Sequence, residues 1–65
     1  MSLEKIDSLK SLVEQLRVEY EKFETKSNAV AGTRARKLLQ DIKAEAQALR
    51  EIIQERKRQK EMLGE

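Results

Sequence analysis

The chain contains no cysteine, histidine, proline or tryptophan, and only two glycines in 65 residues. Without cysteine there are no disulfides and no thiolate chemistry. Without histidine the commonest general base and metal ligand is missing. The aromatic side chains are Tyr20 and Phe23 alone, too few to anchor a large core. No apolar run is long enough for a signal peptide or a membrane span, so the cytosol is the expected compartment. Catalytic inventories fail as well: there is no nucleophile–base pair, no metal-ligand cluster and no phosphate-binding glycine loop. The carboxylates of Glu14, Glu19 and Glu21 lie on lysine-rich helix faces and read as solvated i,i+4 partners. The chain is expected to be no enzyme and to hold no metal or cofactor.

What remains is rich in Ala, Leu, Glu, Lys, Gln and Arg, a helical composition. Ser2 suits an N-cap. Ile6, Leu9, Val13, Leu16, Tyr20 and Phe23 then recur at three- and four-residue steps, the spacing of an a/d seam on one helix over about residues 3–26. Ala35, Leu39, Ile42, Ala46, Leu49 and Ile53 repeat the pattern on a second helix over about 33–62, with Gly64 as its stop. Leu12, Leu38 and Ile52 widen the two stripes. Thr25, Ser27 and Asn28, just before and within a turn of about residues 27–32, favour helix ends. Ser27 or Asn28 could cap the second helix, with Thr33 as a rival, and the sequence leaves its start open among them. If Asn28 caps, Gly32 falls inside the helix at a cost of about 1 kcal/mol relative to Ala, which suggests a close backbone approach or a positive φ.

A short connection makes the helices antiparallel. The expected fold is therefore a single all-α domain, residues 1–65, forming a two-helix hairpin folded near residue 29. Phe23 is expected opposite Ala35, Leu16 opposite Ile42, and Leu9 opposite Leu49. Two helices touching along one seam are marginal alone. The surplus of Leu12, Leu38 and Ile52 points to a four-helix dimer or higher homo-oligomer, with a larger protein partner as the alternative.

Charge divides the chain. Net charge is +2 overall, but residues 1–24 carry −2, residues 25–40 carry +4 with no Asp or Glu, residues 41–54 carry −1 and residues 55–65 carry +1. The acid-free window holds Lys26, Arg34, Arg36 and Lys37 beside Asn28, Gly32 and Thr33. Cations at a helix start oppose its dipole, so their presence there points to an external anion, with phosphate the obvious choice. Arg56, Lys57, Arg58 and Lys60 form a second, weaker basic run near the C-terminus. A membrane surface fits less well, since the apolar faces are used in the hairpin.

The run Lys26-Ser27-Asn28-Ala29-Val30-Ala31-Gly32-Thr33-Arg34-Ala35-Arg36-Lys37, followed by Leu38-Leu39-Gln40, resembles the bacterial linker-histone-like nucleoid proteins, whose core reads Asn-x-x-Ala-Gly-Thr-Arg-x-Arg-Lys. The resemblance extends from about Leu9 to Gln54. It implies a DNA-binding, DNA-compacting protein of the nucleoid, with Arg34, Arg36 and Lys37 at the basic positions and Gly32 and Thr33 in the core. Ser27 and Ala29 stand where relatives often carry Gly and Lys, and the Lys/Ala-rich tail of some members is reduced here to Arg56–Lys60. DNA contact through phosphates is the expected function. RNA offers the same phosphates and stays open, and a helical hairpin docking on another protein is the rival reading.

Overall fold

The computed structural model describes residues 2–62. They form two helices, α1 (Ser2–Lys26) and α2 (Ala29–Met62), with no strand among the described residues. The molecule is an antiparallel hairpin, a rod whose Cα extents are 55 × 15 × 13 Å. Gly64, the expected stop of α2, lies outside the described residues, as does the Ser2 side chain expected to cap α1.

The connection is shorter than the sequence suggests, just Ser27 and Asn28. Ser27 takes φ 51°, the left-handed conformation that ends a helix and that costs a side chain energy. Asn28 then caps α2: its Oδ1 accepts from the Ala31 N–H at 3.2 Å, and its carbonyl accepts from the Gly32 N–H at 3.2 Å. Thr33, the competing cap, lies inside α2, and its hydroxyl donates to the Ala29 carbonyl at 3.3 Å.

Gly32 therefore sits in the first turns of a helix, where alanine would be preferred. Its φ is not positive; the reason is packing. A Cβ there would lie 2.7 Å from Phe23 Cδ1 and 2.9 Å from Cε1. The ring of α1 rests on the bare backbone of α2. Phe23 thus meets Gly32, three residues nearer the tip than the Ala35 expected opposite it, because the turn is centred on Ser27-Asn28 and not on residue 29.

This shift rotates both helices. Ala31 and Ala35 are buried, at 0% and 5% exposure. Leu9, Leu12 and Leu16 on α1, and Leu38, Ile42, Leu49 and Ile52 on α2, are half-buried. Leu12, Leu38 and Ile52, the expected surplus, belong to the seam. Ile6, Val13, Tyr20, Phe23, Leu39 and Ile53, expected inside it, are exposed. Small side chains at the tip explain the exchange. Positions 31, 35, 38, 42, 49 and 52 form a heptad seam of their own, and its first two members are the buried alanines.

Candidate nucleic-acid interface

The tip of the rod carries the acid-free window, and its cations do not converge. Ala29 begins α2, so Arg34, Arg36 and Lys37 fall in its second and third turns. The helix dipole acts mainly in the first turn; it neither opposes these charges strongly nor shares an anion with them.

Arg34 and Lys37 lie on one side of the hairpin. With Gln15, Val18, Glu19, Leu38 and Asp41 they line an open hollow of about 470 Å³. Arg34 Nη1 is 3.8 Å from Glu19 Oε1. That carboxylate oxygen is buried and has no hydrogen-bond partner, so Arg34 supplies the charge that offsets its desolvation. Asp41 stands one turn after Lys37 on the same helix. The window is free of acids in sequence but not in space, since α1 brings Glu19 back beside it.

Arg36 lies on the opposite side. It lines a hollow of about 320 Å³ with Tyr20, Phe23, Ala29, Gly32, Thr33, Ala35 and Leu39, none of them charged. The Tyr20 and Phe23 ring centroids are 6.4 Å apart at 47°, a tilted aromatic pair. The Glu24 carboxylate accepts from the Tyr20 phenol and repels a phenolate, raising its pKa above the usual 10.0. Gly32 is half-buried here, and its bare backbone seats the Phe23 ring of α1. Asn28 is committed to its cap. Lys26 ends α1, where its charge suits the dipole.

At the far end α2, with 34 residues, outruns α1, with 25. Arg56, Lys57, Arg58 and Lys60 are all exposed. Arg58 Nη1 approaches Glu55 Oε2 at 3.5 Å, and Arg56 shares a groove with Lys5, Glu51 and Glu55. Lys57 and Arg58 share an open groove of about 400 Å³ with Arg50, Ile53, Gln54 and Glu61. Arg50 carries no signal in a search for local basic runs, because its sequence neighbour is Glu51. Its nearness to Lys57 emerges only once the helix turns.

Among the described residues no group of His, Cys, Asp or Glu could hold a metal ion, and no helix is long and apolar enough to cross a membrane. Fold and surface together define a slender helical hairpin with cations at its tip and along its longer arm. Residues 3–59 match histone H1-like protein Hc1, and the chain belongs to that family of DNA-binding, chromatin-type proteins. No curated protein and no solved structure matches the chain.

Proposed function

We propose that this protein binds duplex nucleic acid, DNA first, through the phosphate backbone and with little sequence preference, and that hairpins associate so that one assembly engages several stretches of the duplex in the nucleoid. The observation that carries the reading is a surplus of exposed cations in a chain of the Hc1 family, led by Arg36 at the tip, whose hollow holds no other charged side chain, with Lys57 on the long arm beside Glu61. Backbone neutralisation and counterion release supply the affinity. Base-edge readout contributes little, since of the two amides beside the basic stretch Asn28 is spent on capping and only Gln40 is left exposed.

Fluorescence anisotropy across a salt series, on two unrelated duplexes, tests this. The native chain should bind both alike. Arg36→Ala should lower the slope of log K against log salt by about 0.9, the value of one phosphate contact. Arg34→Ala should lower it less, because Glu19 already engages that guanidinium. Competition with duplex RNA of the same length measures the preference between the two. A native chain with no salt-dependent affinity for any duplex would remove the proposal and leave the protein-docking reading, which the nine large apolar side chains exposed among the described residues also favour.

A further inference from the structure

Arg36 is the first member of a longer pattern. Arg36, Lys43, Arg50 and Lys57 follow at seven-residue steps. Seven residues are nearly two helical turns, drifting only about 20°, so the four share one edge of α2. At about 1.5 Å per residue the row spans about 31 Å, with a cation every ~10 Å. All four side chains are exposed, and none forms an ion pair with a described residue.

The neighbours make the row unusual. In a helix the side chains that reach a cation lie three and four positions away. For Arg36, Lys43 and Arg50 those positions hold only Gly, Thr, Leu, Gln, Ala and Ile. Lys57 meets its first charges at Lys60 and Glu61. Yet 40% of the chain is charged. The acids of α2 before Lys57, namely Asp41, Glu45, Glu51 and Glu55, all fall on other sides of the helix. At Arg50 and Lys57 the side chains face a common groove. Arg36, Lys43 and Arg50 are thus held in line with no acid three or four residues away on their own helix, and Lys57 meets one, Glu61.

We infer that this edge of α2 is a second, extended contact for the duplex, a track for the phosphate backbone running from the tip to the long arm. Its length is close to one turn of B-form DNA, about 34 Å, so the rod can lie along the duplex and not merely touch it with its tip. The occupant with the competing claim is a second copy, whose α1 also carries a seven-residue acidic row, Asp7, Glu14 and Glu21. That row is already balanced on its own helix: Lys10 lies three residues after Asp7 and four before Glu14, and Arg17 lies three after Glu14 and four before Glu21. Of the α2 row only Lys57 has an acid in such reach, Glu61, and an external polyanion is what the other three lack.

The inference rests on the duplex-binding reading, and the experiment separates the two. Lys43→Gln with Arg50→Gln removes the middle of the row while keeping good helix formers. Lys5→Gln with Lys22→Gln is the control on α1; either pair takes the net charge from +2 to zero. The row variant should lose about 1.8 from the salt slope and about 60-fold in affinity at 0.1 M salt relative to 1 M. The control should lose far less, and the charge-preserving exchange of Lys43→Arg with Arg50→Lys should keep the native slope. If the native chain binds no duplex, both the reading and the track fail. If it binds and the two pairs weaken it equally, or the row variant binds natively, the track fails and the reading stands. A row variant that changes sedimentation mass but not duplex affinity would assign the row to a second copy.

Discussion

At the residue scale the hairpin turns on two backbone positions and one ring. Ser27 holds φ 51° at the place where the linker-histone-like proteins it resembles often have glycine. Left-handed backbone costs an ordinary side chain roughly 1–2 kcal/mol, and glycine returns part of that as unfolded-state entropy. Ser27→Gly should therefore raise stability by up to about 1 kcal/mol, read as a higher unfolding midpoint, and an unchanged or lower midpoint would show the turn is not strained. Gly32 is the converse case. Alanine would gain about 1 kcal/mol of helix propensity, but its Cβ would meet the Phe23 ring at 2.7 Å, and overpacking of this kind costs about 1–3 kcal/mol. The two effects are separable by a double-mutant cycle. Gly32→Ala should stabilise the hairpin when Phe23 is already alanine, and should gain less or destabilise it when Phe23 is present. Equal effects in both backgrounds, measured by denaturant unfolding, would mean that the ring does not set the residue.

At the scale of the helices, heptad spacing made both elements and their antiparallel order legible, because a/d periodicity is a property of each helix alone. The facing rows were not legible to the same degree. A stripe widened by Leu12, Leu38 and Ile52 is wide enough to be turned either way about the helix axis. What chooses between the two orientations is the tip, where Ala31 and Gly32 permit a close approach that larger residues would forbid. Those residues carry almost no hydropathy signal. The same limit hid the partner of Arg34. An acid-free window is a one-dimensional statement, and Glu19 returns to it only through the fold, 3.8 Å from the guanidinium. Around Arg36, by contrast, both helices present uncharged side chains. Basic runs such as Arg56–Arg58 are visible to the eye, whereas cations seven apart need the helix to be drawn first.

At the scale of the whole molecule the outstanding fact is how little is buried. Among the described residues only Ala31 and Ala35 are buried, and no large side chain is fully enclosed. Ile6, Val13 and Tyr20 lie seven apart on α1, as do Leu39, Ala46 and Ile53 on α2, so each set shares a side of its helix. Tyr20 and Leu39 line the same hollow, which places the two sets on one face of the rod. Covering each large residue would contribute about 1.5–3 kcal/mol, and a two-fold pairing of this face with itself counts every such contact twice. Association of hairpins through it predicts that the unfolding midpoint rises with protein concentration, because a partner stabilises by mass action. It also predicts different fates for two adjacent leucines. Leu39 is 51% exposed on this face. Leu39→Asp should lower the mass seen by sedimentation equilibrium while circular dichroism still reports helix at high concentration. Leu38 is half-buried in the seam between α1 and α2. Leu38→Asp strands a charge between the helices of a single hairpin, so it should reduce helicity at every concentration. A native chain that sediments as a stable helical monomer at micromolar concentration, with a midpoint independent of dilution, would leave this face without a partner of its own kind and would return Leu39 and Ile53 to the surface as a site for a different protein.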